Sequence, residues 1–170
     1  KTTVRRETVK VLENLARVCA VLAGVLLTLI TLMTCVSLIG RNTTGWTLVG
    51  DFELSGSAAG AAIALFLPWC QVHGANIIVD FFTQKVGPRK QAILDGIGAI
   101  AMAAMTALLG WRTAVGAVSI HEAGETSVIL GLPTWWTYAM LAPGLALTCL
   151  VALVQAGLLF GGRDIKEMQA

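Results

Sequence analysis

The feature that most constrains this chain is a run of 23 residues, Val18 to Gly40, without a single Asp, Glu, Lys or Arg, bounded by Arg17 and Arg41. Wound as a helix at about 1.5 Å per residue it reaches roughly 35 Å, enough to cross a bilayer core of about 30 Å. Three more such stretches follow. Leu54 to Val72 is charge-free, Gly96 to Ile120 is interrupted only by Arg112, and Thr126 to Gly162 is charge-free again. The last is longer than one crossing needs. Pro133 is a natural first-turn residue for its helix, and Pro143 should kink it.

In hydrocarbon no water satisfies backbone N–H and C=O groups, so segments of this kind cross as helices. The expected fold is therefore all-α: a polytopic integral membrane protein with four transmembrane helices at about residues 18–40, 54–72, 96–120 and 133–160, forming one domain over 1–170. Composition agrees, with 13% charged residues against about 25% in a soluble domain. Val18–Gly40 exceeds the apolar core of a signal peptide, about 7–15 residues, and no convincing small-residue cleavage site follows it, so an uncleaved first span is expected.

Topology follows from Lys and Arg. With four spans, Lys1, Arg5, Arg6, Lys10, Arg17, Lys85, Arg89, Lys90, Arg163 and Lys166 share one side, leaving only Arg41 and Arg112 of the 12 basic residues for the other. Both termini are expected in the cytoplasm. Trp46, Trp111, Trp135 and Trp136 should then mark the outer interface and Trp69 the inner one, none of them at mid-depth.

Two cytoplasmic segments are amphipathic. Val4, Thr8, Val11, Leu12 and Leu15 share a helical face in residues 1–17, where Glu13 and Arg17 have the favourable i,i+4 order. Ile77, Ile78, Phe81, Phe82 and Val86 share another before Gly87-Pro88 breaks the turn.

Chemistry is sparse. Cys19, Cys35, Cys70 and Cys149 form no C-x-x-C pair and read as small buried apolar residues. His73 and His121 fall on opposite sides of the bilayer. His121, Glu122 and Glu125 lie close together in sequence, but no fourth ligand is near, and a solvated outer loop is the plainer reading. No catalytic residue, metal site or cofactor is expected, nor is nucleic acid a partner at a net charge of +2. A transporter acting alone usually keeps an ionisable residue deep in a span. Arg112 is the one candidate, and it is expected towards the outer end of its span, where the side chain snorkels. Packing signals are stronger: Gly56, Gly60 and Ala64 on one face, and Ala99, Ala103 and Ala107 on another, have the small-residue spacing that lets helices approach.

The order of several short motifs resembles the small, DctQ-like membrane subunit of tripartite ATP-independent periplasmic transporters. They are Arg41 after the first span, "VGDFEL" with Glu53 opening the second, "GANIIVDFF" with Asp80 after it, and "GETSVILGLPTWW" with Glu125, Ser127 and Pro133 opening the fourth. The chain departs from that pattern at Asn76, where the family commonly carries histidine. The resemblance implies a bacterial inner-membrane protein working in a sodium-driven importer of organic acids. A large elevator-type membrane subunit would carry substrate and sodium, a periplasmic binding protein would deliver the substrate, and this chain would steady the large subunit's scaffold. With the chain ending at Ala170, separate rather than fused membrane subunits are expected. Glu125 would brace the fourth helix, and His121 and Glu122 would face the binding protein. Two alternatives remain: an autonomous four-span dimeric transporter, which would want a deep carboxylate in its first span, and a membrane anchor of a respiratory enzyme, which would want paired haem histidines.

Overall fold

The computed structural model of the chain describes residues 2–46, 48–73 and 88–160. Four helices account for most of them: α1 (Thr2–Thr43), α2 (Asp51–Val72), α3 (Pro88–Ala123) and α4 (Trp135–Phe160). Each is long and apolar enough to cross a membrane. Inside them, hydroxyls that would otherwise be stranded in hydrocarbon bond back to their own helix. Thr28, Thr31 and Thr34 each donate to the carbonyl four residues earlier, as do Thr106, Thr113 and Thr148.

The helix ends follow from local chemistry. Gly50, with φ of 85°, turns the chain into α2, a left-handed conformation that side-chain-bearing residues rarely adopt. Asp51 and Glu53 then sit in the first turn, where the helix dipole favours negative charge. Arg41 lies in the last turn of α1, where a cation is favoured. Gly124, with φ of 65°, closes α3 by donating to the His121 carbonyl.

The amphipathic lead-in runs straight into the first span, as expected: α1 is one helix of 42 residues, about 63 Å long. Of the expected apolar face of that segment, Leu12 is buried and is joined by Ala16, while Val11 and Leu15 stay exposed. The fourth helix begins at Trp135 rather than Pro133. Pro133 instead forms an isolated antiparallel bridge with Thr126, and its carbonyl accepts from the Trp136 N–H. The second amphipathic segment, with Asn76 and Asp80, lies outside the described residues.

The helices pack as a row in the order α1, α2, α4, α3, with α1 touching α4 only slightly. α2 and α4 approach closely, with Gly144 directly on the backbone of Ala64. At one end of the row, Leu12, Ala16, Val72, Val151 and Leu158 form a buried cluster. α1 and α3 are the outer members, and long apolar stripes on both are exposed.

Candidate functional site

The end of the row that carries the α1–α2 and α3–α4 connectors is held by polar side chains. Ser37, buried on α1, donates to the Asp51 carboxylate at 2.6 Å. One turn further in, Thr34 and Ser55 are hydrogen-bonded at 3.3 Å. Thr137 donates to Ser57 at 3.1 Å, tying α4 to α2. These contacts fix the register of α1, α2 and α4 with hydroxyls and one carboxylate.

Glu53 organises the long connector between α3 and α4. Its carboxylate accepts from the Ser127 hydroxyl at 2.7 Å, from the Ile129 N–H at 3.1 Å and from the Leu130 N–H at 3.2 Å. The connector itself is a narrow hairpin: Thr134 donates to the Glu125 carbonyl, and Ser127 donates to the Leu132 carbonyl. Leu130 fills the space a side chain would need at Gly50. Backbone donors that no helix or strand would use therefore converge on one carboxylate from a different helix, which is how an irregular loop keeps its polar groups satisfied.

This reverses the part expected of Glu125. Its side chain is exposed and makes no hydrogen bond or ion pair among the described residues, while its backbone carbonyl takes part in the hairpin. Glu53 supplies the bracing carboxylate instead. Its signal was in the sequence, as an acid in the first turn of a span, but its partners lie more than 70 positions away. His121 and Glu122 are both exposed at the same end, with the His121 ring against Trp135 at 5.2 Å between centroids.

The opposite end carries a second polar group. Arg17 is near Glu13 at 3.7 Å and lies over the Trp69 ring at 5.8 Å, and Trp69 in turn stacks with His73 at 4.1 Å. Next to it, buried Gln71 and Gln155 bond to each other. The Gln71 amide donates to the Gln155 side chain and the Gln155 amide donates to the Gln71 carbonyl, both at 2.7 Å. Buried amides paired in this way lock α2 to α4 without leaving a donor unpaired.

The small-residue faces divide. Ala64, Ala99 and Ala103 are buried. A Cβ at Gly60 would only just reach Leu141, at 3.9 Å, and one at Gly56 would meet nothing. Among the described glycines on helices, Gly144 has the closest neighbour, and the sequence spacing did not single it out.

The contacts of α3 set the level of Arg112 and Trp111 along the row. α2 runs from Asp51 to Val72, so its midpoint is near Ala61 and Ala62. Ala64 lies against Gly144, and the neighbouring Leu145 lies against Gly110. Arg112, half a turn beyond Gly110, is thus level with the middle of α2, not with its end. Trp111 beside it is 70% exposed. Arg41, by contrast, is exposed at the connector end. Among the described residues no three His, Cys, Asp or Glu side chains gather as a metal site would require.

The family model described as "Tripartite ATP-independent periplasmic transporters, DctQ component" matches residues 30–161, from the last third of α1 through the whole of α4. No match was found among curated proteins or among solved structures.

Proposed function

Because the chain belongs to the DctQ component family of tripartite ATP-independent periplasmic transporters, and is thus a small permease component and a multi-pass inner-membrane protein, we propose that it serves as the non-catalytic scaffold partner of a larger membrane subunit. The transporter is a sodium-driven importer of organic acids. The large subunit carries substrate and sodium, and a periplasmic binding protein delivers the substrate. Both termini of this chain face the cytoplasm, so the connector end of the row faces the periplasm.

The observation that carries this reading is the family match, which takes in α2, α3 and α4 whole and the last part of α1. The structure supports it physically. The polar side chains of the bundle are spent on joining helices: Ser37 with Asp51, Ser57 with Thr137, Gln71 with Gln155. A row of helices with apolar stripes on both outer members suits a body that widens another protein's scaffold. At the periplasmic end, the hairpin braced by Glu53 and the exposed His121 and Glu122 offer a fixed surface to the binding protein. Charges there would act on the encounter more than on the final affinity.

The test is affinity purification from native membranes through a tag on this chain. A stoichiometric large polytopic protein should co-purify, and the preparation should lack haem absorbance. A homodimer alone, or a haem-bearing enzyme, would overturn the reading in favour of the autonomous transporter or the respiratory anchor.

A further inference from the structure

α3 has two unlike faces. One, with Ala99, Ala103, Thr106 and Gly110, is turned to α4 and is small and mostly buried. The other presents Met105, Leu108, Arg112, Val115 and Ser119 at helical spacing, all exposed, with Trp111 and Val118 beside them. The apolar members would suit lipid, but Arg112 would not. It lies level with the middle of α2, about ten residues or roughly 15 Å of helix from either polar end of the row, farther than an arginine side chain reaches.

Arg112 makes no hydrogen bond or ion pair among the described residues. The acids of its own helix are Asp95 and Glu122, each more than two turns away. α4, the helix α3 packs on, has no acid at all. A guanidinium at this depth is costly in hydrocarbon and is found paired or facing protein. Lipid phosphates sit at the bilayer surface, too far to supply the acceptor. Its planar fork matches a carboxylate, which takes two parallel hydrogen bonds from it. Trp111 adds a second donor at the same depth, and Trp and Arg together are the residues most often found at the centre of a binding surface.

We propose that the outward stripe of α3 centred on Arg112 is the face that docks on the large membrane subunit, and that Arg112 pairs there with a carboxylate on one of that subunit's transmembrane helices. This rests on the small-subunit reading above and adds to it which face is covered and by what chemistry.

The test uses the tagged chain in native membranes. A photo-crosslinking residue is placed at Leu108 or Val115 on α3, and in parallel at Val25 or Leu32 on the exposed stripe of α1. Crosslinks to the large subunit should arise from the α3 positions. Arg112→Leu should lower the amount of co-purified large subunit at least about tenfold, because it strands the partner's carboxylate, while Arg112→Lys should retain part of it. The crosslinking arm leaves Arg112 intact, so it stands even if Arg112→Leu folds poorly. Crosslinks from α1 alone, crosslinks to a second copy of this chain, or undiminished co-purification with Arg112→Leu would each overturn the docking face while leaving the small-subunit reading standing. Absence of any large partner from the wild-type preparation would overturn both.

Discussion

Gly144→Ala is the smallest change that tests how α2 and α4 meet. The added methyl would collide with the carbonyl group of Ala64 and would lie 3.0 Å from the Leu65 nitrogen. Two effects oppose each other. Alanine is the better helix former by about 0.8–1 kcal/mol. Overpacking costs about 1–3 kcal/mol, and here the obstacle is the backbone of another helix, which cannot rotate aside as a side chain would. The upper part of that range applies, so the net effect is a destabilisation of about 1–2 kcal/mol. Gly98→Ala is the matched control, since its Cβ would meet nothing within 4 Å and only the propensity gain remains. The assay is the temperature at which detergent-purified protein loses its monodisperse gel-filtration peak. Gly144→Ala should fall below wild type, and Gly98→Ala should equal or exceed it. A Gly144→Ala protein as stable as the Gly98→Ala protein would refute the close approach of the two helices.

Two further substitutions probe the polar joints. Glu53→Gln puts an amide donor among the donors of Ser127, Ile129 and Leu130, so hydrogen exchange across residues 126–132 should speed up, whereas Glu125→Gln should leave it unchanged; the opposite pattern would return the bracing role to Glu125. Gln71→Leu or Gln155→Leu alone breaks the buried side-chain bond between the two amides and should cost about 1–3 kcal/mol, while the double change should cost less than the sum; additive losses in thermal stability would mean that the two amides do not act as a pair.

The helices were legible in the sequence because hydrocarbon allows few alternatives. Apolar runs of this length must satisfy their own backbones, and charges such as Arg17, Arg41 and Asp51 mark where they end. What joins the helices was less legible. The acid of the α3–α4 connector looked like Glu125 because it is adjacent in sequence, yet the loop's N–H groups turn towards α2 and find Glu53. Helix-to-helix register has no local signature, so Gly144, one glycine after a proline, gave no hint that it touches Ala64. The same holds for Arg112. Judged by the charge-free run alone it stood near the outer end of its span. Once Gly110 is seen against Leu145, and Gly144 against Ala64, it stands level with the middle of α2. The amphipathic start of α1 was visible as a pattern, but which of its residues turn inward depends on where α4 ends: Leu12 and Ala16 join the buried cluster with Val72, Val151 and Leu158, and Val11 and Leu15 stay exposed.

The central claim is that this chain supports transport without carrying it out, and reconstituted uptake tests it most directly. The purified chain, the purified large subunit, and the two together are placed in separate proteoliposomes, each with binding protein, a radiolabelled organic acid that the binding protein retains, and an inward sodium gradient. Uptake should appear only where both membrane subunits are present, should require the binding protein, and should vanish when the gradient is collapsed. Gradient-driven uptake by vesicles holding this chain alone would contradict the account.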